Sequence, residues 1–245
     1  MTLRRAVLPV RFFLITLLLL LFTVLFSMLA SRLEKKASAT ATEDQPSFTA
    51  VILDAGHGGE DGGAVSPQGY AEKDLNLAIC KQMEVLLRSN GIETVMTRTE
   101  DILLYDKSAD YHGKKKALDL LARRKIGEAH PESVFVSIHM NAYPLSQYHG
   151  LQVWYSPNHD SSLDVARQIQ ETVSVLLQPE NQRQVKAAGS NLYLLHHLNT
   201  PAVLVECGFL SNPEEAERLN DPTYQKQLAF LITLSLLQSN FSSQK

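Results

Sequence analysis

The 245-residue chain is poor in cysteine, with only two, and it has a single tryptophan. Two cysteines can form at most one disulfide, which excludes the class of small secreted domains that depend on a disulfide framework. Cys80 falls within a helix-spaced pattern and Cys207 within an apolar run. We therefore predict that both are small buried side chains and that apolar packing holds the core.

The chain also lacks an excess of charge of one sign. It has 23 Lys and Arg residues against 26 Asp and Glu residues, for a formal net charge of −3. Proteins that bind nucleic acid through its phosphates usually carry a basic surface. The composition has no such footprint, so we expect no nucleic-acid partner.

One long apolar run lies near the N-terminus. Residues 12–30 contain no charge and are rich in Leu and Phe, and they follow Arg4, Arg5 and Arg11. At about 1.5 Å per residue, a helix over this run would cover most of a hydrocarbon core of about 30 Å, and the run exceeds the roughly 7–15 apolar residues of a signal peptide. We predict that residues 1–31 are a membrane anchor, with a cleaved signal peptide as the alternative.

A change of composition follows the apolar run. Residues 32–47 are mostly small, polar or charged and show no apolar periodicity, which is typical of a linker. The remaining chain, residues 48–240, is long enough for one domain with a sizeable core. The predicted organisation is therefore a signal or anchor segment, a linker and a single domain. The chain would contact the membrane through the N-terminal segment.

Strand and helix periodicities alternate along this domain. Predicted strands cover residues 50–54, 93–97, 133–139, 151–155, 191–195 and 202–206. Predicted helices cover residues 75–87, 117–129 and 163–177, and two more begin at Asn212-Pro213 and Asp221-Pro222. This order predicts an α/β fold, with a twisted, mostly parallel (mixed) sheet of about six strands flanked by helices.

Four residues near predicted strand or helix ends have side chains suited to metal-assisted hydrolysis. His57 lies in a glycine-rich turn after the first strand, His139 and Glu206 end two later strands, and Glu72 begins the first long helix. Sheets of this kind bind ligands at their strand ends. Two imidazoles and one carboxylate would leave a fourth tetrahedral zinc position for water, which an unligated carboxylate could deprotonate.

Spacing alone does not select the acidic ligand. Glu60, Asp61 and Asp74 lie close to His57 or Glu72 in the sequence and would complete a metal shell equally well. A lone His at a strand end is also typical of a hydrogen-bonded structural residue. The glycine-rich turn lacks the Walker pattern and the G-x-G-x-x-G spacing, which argues against a nucleotide site.

Seven short blocks occur in a characteristic order. They are LDAGHGG at 53–59, GGAV at 62–65, EKDL at 72–75, TR at 97–98, Leu120 with Arg123, VSIHMNA at 136–142 and PAVLVECGFLSN at 201–212. Together they resemble the zinc-dependent N-acetylmuramoyl-L-alanine amidases of the Amidase_3 type over nearly all of residues 50–238. The resemblance implies the same sheet fold and a Zn²⁺ cofactor.

The resemblance also implies roles for individual residues. His57, Glu72 and His139 would bind zinc, and Glu206 would be catalytic in hydrolysis of the amide between N-acetylmuramic acid and L-alanine of peptidoglycan. Asn141 lies two residues beyond His139 and would either bind the substrate or make a structural hydrogen bond. The implied location is exported: membrane-anchored or secreted, at the cell wall or in the forespore intermembrane space.

Two arginines in these blocks have two interpretations. Arg98 and Arg123 would either contact carboxylates of the stem peptide or form buried ion pairs that brace the loop above the sheet, and we favour the second. His196, His197 and Glu128 depart from the residues that relatives often carry. These departures put the substrate-side contacts in doubt and leave the zinc set intact.

A narrower resemblance is to the germination-specific amidases that form muramic-δ-lactam in the spore cortex. It is carried by the short catalytic domain without cell-wall repeats, the polar insertion over residues 101–116 and the MNAYP block at 140–144. It implies a sporulation role and, as in some relatives, a partner lipoprotein. The alternatives are a vegetative cell-wall amidase, an inactive peptidoglycan-binding domain and a zinc peptidase that cuts within the stem peptide.

Overall fold

The computed structural model describes Thr23, residues 48–105, Ser108 and residues 113–239. The predicted signal or anchor segment, apart from Thr23, and the predicted linker lie outside the described residues. Within the described part, no helix combines the length and the apolar character that crossing a bilayer requires.

Six strands of the described residues form one sheet. They are β1 Ala50–Ala55, β2 Glu93–Met96, β3 Ser133–Asn141, β4 Gln152–Tyr155, β5 Lys186–Ala187 and β6 Ala202–Phe209. Their order across the sheet is β2-β1-β3-β6-β4-β5. Only β4 and β6 pair antiparallel within this sheet, and the other pairs are parallel. The predicted mostly parallel, mixed sheet of about six strands is confirmed.

Helices flank this sheet. Those of the described residues are α1 Glu72–Ser89, α2 Lys115–Glu128, α3 Ser161–Leu176, α4 Tyr193–His197, α5 Pro213–Asn220 and α6 Pro222–Gln238. The side chain of Asn212 accepts hydrogen bonds from two amides in the first turn of α5, and that of Asp221 accepts one from the amide of Thr223 in α6. Each cap precedes a proline at the first helical position, so both helix starts were predictable from local sequence.

The prediction of a strand over residues 191–195 is wrong. This segment runs into α4, Tyr193–His197, and the two-residue β5 is the remaining strand. A short apolar run suits either structure, and here the helical turn buries Leu194 and Leu195 against the sheet. The side-chain amide of Asn158 donates to carbonyls of the last turn, so this backbone needs no strand partner.

The two faces of the sheet pack against different helices. α1, α3 and α6 cover one face, where Cys80 and Cys207 are buried as free thiols, as predicted. α2 and α4 pack on the other face with Phe135 and Leu204. Side chains alternate along a strand, and the neighbours of Glu206 on β6, Val205 and Cys207, lie on the first face. Glu206 therefore points to the face of α2 and α4.

β3 and β6 are longer than predicted. β3 continues to Asn141 and β6 to Phe209, and the register shifts between His139 and Asn141. Glu206 therefore lies within its strand and not at the end of it, directly beside His139.

Candidate metal centre

Three predicted ligands converge beyond the carboxyl end of β1. Glu72 Oε1 lies 3.2 Å from His57 Nε2 and 2.8 Å from His139 Nδ1. One ligand atom from each side chain lies within 4.8 Å of the other two. In a tetrahedral zinc site with bonds of about 2.0–2.1 Å, neighbouring ligand atoms lie about 3.3 Å apart. The donors and their spacing therefore fit a zinc ion.

Glu72 is the most tightly held of the three. It begins α1 and is only 3% exposed, and its carboxylate accepts hydrogen bonds from the amides of Ala64, at 2.8 Å, and Met140, at 3.1 Å. Burial raises the pKa of Glu72, but contacts with His139 and His57 outweigh burial and hold this pKa well below its usual range. The carboxylate is thus ionised at neutral pH, as a metal ligand must be.

The glycine-rich turn makes room for the two imidazoles. A methyl group at Gly56 would collide with the ring of His139, and one at Gly63 would collide with Glu72 and His57. Among the residues that the structure describes, His57 is also the only non-glycine residue with a positive φ, of 63°. The flanking glycines have no Cβ atom, which lets the backbone turn tightly around His57.

Two buried arginines hold the turn in place. Arg123 Nη1 lies 2.6 Å from Asp54 and its Nε lies 2.7 Å from Asp119, while Nη2 donates to the carbonyl oxygen of His57 at 2.7 Å. Arg98 donates to carbonyl oxygens of the two residues that precede His57. The predicted buried ion pair is confirmed for Arg123, whereas Arg98 braces the turn through the backbone.

The other acids that the sequence left open, Glu60, Asp61 and Asp74, do not belong to the converging group. Asp61 lies on the opposite side of His57, with Oδ1 2.9 Å from Nδ1 although the two are not aligned for a hydrogen bond. The other carboxylate oxygen of Asp61 lies 3.4 Å from Lys116 Nζ. Asp61 thus faces the ring nitrogen that points away from the ligand cluster.

Glu206 lies beside the cluster without joining it. It pairs in register with His139 on one side and with Gln152 of β4 on the other. Its Oε2 atom is buried and has no hydrogen-bond partner among the described residues. Burial raises the pKa of Glu206 to about 7, against the opposing effect of His139. A buried carboxylate with a free oxygen and this pKa suits general base catalysis at neutral pH.

Asn141 lies at the end of β3, two residues beyond His139, and is partly exposed. Its backbone carbonyl accepts a hydrogen bond from Leu210 at 2.8 Å. Its side-chain amide has no hydrogen bond within the described part of the chain. The substrate-binding role of Asn141 stays a prediction.

A cavity of about 170 Å³ adjoins the ligand cluster. His57 and His139 line it together with Lys116 and residues 191–195. The contribution of the last segment was missed because a strand was predicted there. The one available signal was the helical spacing of leucines at every third position over residues 192–198.

Comparison with known proteins identifies the family. The N-acetylmuramoyl-L-alanine amidase family, Amidase_3, matches residues 51–238. The germination-specific N-acetylmuramoyl-L-alanine amidase of Bacillus subtilis is 34% identical over 188 residues, which is 77% of this chain and 78% of that protein.

Solved structures agree with this result. The CwlD amidase from Clostridioides difficile, in complex with the GerS lipoprotein, is similar with a TM-score of 0.73 and 38% identity over 77% of this chain and 96% of that chain. An N-acetylmuramoyl-L-alanine amidase from Clostridium difficile 630 is similar with a TM-score of 0.68 and 31% identity over 81% of this chain and 100% of that chain. The chain therefore belongs to the N-acetylmuramoyl-L-alanine amidase family of the Amidase_3 type.

Proposed function

We propose that this protein is a zinc hydrolase that cleaves the amide between N-acetylmuramic acid and L-alanine of the peptidoglycan stem peptide. The family supports the peptidoglycan substrate and the amidase reaction. The observation that carries the metal-dependent mechanism is the convergence of His57, Glu72 and His139 beside the buried carboxylate of Glu206. A bound zinc ion would polarise the amide carbonyl and lower the pKa of a water molecule.

The side chains of the site have separate roles in the proposed reaction. Glu206 Oε2 takes the proton of the attacking water and then delivers it to the amine of the departing alanine. A carboxyl group with a pKa of about 7 can both accept and release this proton near neutral pH. His57 and His139, as neutral imidazoles, and ionised Glu72 hold the metal, and Asn141 orients the substrate.

Substitution of Glu206 tests this assignment. We expect Glu206→Gln to retain one zinc per chain and to lose about 10²–10⁴-fold in turnover, because only the proton carrier is removed. His57→Ala, as the matched ligand variant, should lose the metal as well. Zinc content is measured by metal analysis, and turnover by mass spectrometry of stem peptides released from purified peptidoglycan.

Three results would contradict this function. Equal zinc loss in both variants would make Glu206 a ligand. Fragments cut inside the stem peptide would assign a peptidase, and no release from a zinc-loaded enzyme would indicate a binding domain or a required partner.

The biological role that we propose is in the spore cortex, where this cleavage leads to muramic-δ-lactam. Similarity to the germination-specific amidase of Bacillus subtilis supports it. Expression in a strain that lacks this amidase should restore muramic-δ-lactam, measured by analysis of cortex muropeptides. Restored cell separation without the lactam would favour a vegetative cell-wall amidase.

The proposed organisation follows from this role. Residues 1–31 would anchor or export the chain, residues 32–47 would tether it, and the catalytic domain over residues 48–240 would act outside the cytoplasmic membrane. The CwlD structure contains the GerS lipoprotein, which supports the proposal that a lipoprotein also binds this chain. Membrane fractionation and co-purification from sporulating cells would test both points.

A further inference from the structure

Most basic residues around the metal centre are already engaged. Arg98 and Arg123 are 2% and 1% exposed and hold the glycine-rich turn, so they are not available to a substrate. Three lysines on this side of the site pair with an acid: Lys73 with Asp101, Lys115 with Glu60 and Lys116 with Asp61. The stem peptide, in contrast, carries a free α-carboxylate on its second residue, a D-glutamate, wherever that group is not amidated.

Lys186 differs from these lysines. It lies on β5, on the other side of the site, and its side chain is exposed. Its Nζ atom lies 5.4 Å from the ring centroid of Trp154, and it makes no ion pair with any described residue. Trp154, the single tryptophan of the chain, is partly buried and packs against the apolar cluster that contains Leu204. The ring thus holds an unpaired ammonium group beside the sheet.

The sheet register places this pair on the same face as the catalytic carboxylate. Leu204, Trp154 and Lys186 form one row across β6, β4 and β5, and Glu206 with Gln152 forms the next row. Strands lie about 4.8 Å apart, and residues two positions along a strand are about 7 Å apart. The Cα atoms of Lys186 and Glu206 are therefore about 12 Å apart. Leu204 also lines the cavity next to the proposed metal ligands, so one end of the row borders the site.

We propose that Lys186 binds the free α-carboxylate of the second stem-peptide residue, and that the enzyme therefore prefers non-amidated stem peptides. This inference rests on the proposed function. Two extended residues span about 7 Å, and a lysine side chain reaches about 6 Å from its Cα. Together these lengths match the separation of about 12 Å between the Cα atoms of Lys186 and Glu206. Contact with Trp154 restrains the ammonium group before the substrate binds, which lowers the entropy that binding must remove.

The test uses the full-length, zinc-loaded protein and two disaccharide tripeptides that differ only in whether this α-carboxyl is free or amidated. We expect Lys186→Met to lower kcat/KM on the free acid about 5–10-fold, through KM, because one charge-assisted hydrogen bond is lost. On the amidated tripeptide the change should stay below about 2-fold. Lys226→Met is the matched control, since Lys226 is exposed on α6, across the sheet.

A binding measurement tests the role of Lys186 independently of which bond the enzyme cleaves. In the Glu206→Gln background, the fluorescence emission of Trp154 reports binding of either tripeptide without turnover. Lys186→Met should weaken binding of the free-acid tripeptide only. Equal losses on both tripeptides, or unchanged affinity for the acid, would overturn the role of Lys186. If zinc-loaded wild-type protein cleaves neither tripeptide, the bond assignment fails, and the fluorescence titration still decides the carboxylate contact.

Discussion

At the residue scale, His57 shows how a strained backbone can be maintained at a proposed metal ligand. Its positive φ costs a non-glycine residue about 1–2 kcal/mol. The hydrogen bond from Arg123 to its carbonyl oxygen and the contacts of its ring with Glu72 and Asp61 offset that cost. The result is an imidazole whose Nε2 faces the ligand cluster and whose Nδ1 faces a carboxylate.

Asp61 is therefore expected to tune the metal affinity without binding the metal. Asp61→Asn keeps the size of the side chain but removes the negative charge beside His57 Nδ1, and we expect zinc affinity to fall about 10–100-fold. Competition with a chromophoric chelator measures this affinity. Glu60→Gln is the matched control because Glu60 pairs with Lys115. Unchanged zinc affinity in Asp61→Asn would show that the carboxylate has only a structural role in the glycine-rich turn.

At the scale of elements, α2 connects the sheet to the glycine-rich turn. Arg123 on this helix bonds to Asp54 at the end of β1 and to Asp119 one turn earlier in the helix. Burial raises the pKa of Asp54, but Arg123, with the hydrogen bond from the Ser137 hydroxyl, outweighs burial and the pKa lies below its usual value. The position of the turn thus depends on a helix that lies far away in the sequence.

Loss of this cation should be strongly destabilising. Arg123→Leu leaves two buried carboxylates without their cationic partner, and we expect the free energy of unfolding to fall by about 3–5 kcal/mol in urea titrations. Arg124→Leu is the control on the same helix, because Arg124 pairs with Glu128 at the surface. Similar urea midpoints for both variants would mean that the network adds nothing to stability.

At the scale of the whole molecule, the stability of the zinc-free protein should depend on pH through Glu206. Its pKa is about 7 in the folded state against an ordinary value of 4.5. Its contribution to stability is therefore complete below pH 4.5 and is lost as the pH rises through 7, by about 3 kcal/mol. Glu72, whose pKa is lowered, acts in the opposite sense: its contribution is present above pH 4.5 and is lost as the pH falls.

Urea unfolding in a chelator at pH 5 and pH 8 measures this effect. Relative to wild type, Glu206→Gln should gain stability at pH 8 compared with pH 5, because the buried group can no longer ionise. A constant difference between the two proteins at both pH values would show that Glu206 stays solvated in the folded state.

Local sequence was sufficient for much of the architecture. The helix starts at Asn212 and Asp221 and most strands follow from caps, prolines and periodicity, all of which act over a few residues. The strand predicted at residues 191–195 failed because an apolar run of that length satisfies two structures equally. Packing against the sheet and the hydrogen bonds of Asn158 selected the helical turn.

For the site, the sequence by itself determined which residue types were present, their order along the chain and, through the family pattern, the candidates His57, Glu72, His139 and Glu206. Only the tertiary structure decided which of the neighbouring acids turns toward the imidazoles. That choice depends on backbone conformation at His57 and on contacts between distant segments, such as Arg123 with Asp54. Periodicity and spacing carry no information about such contacts, because their range is a few residues and these partners meet only when the sheet has formed.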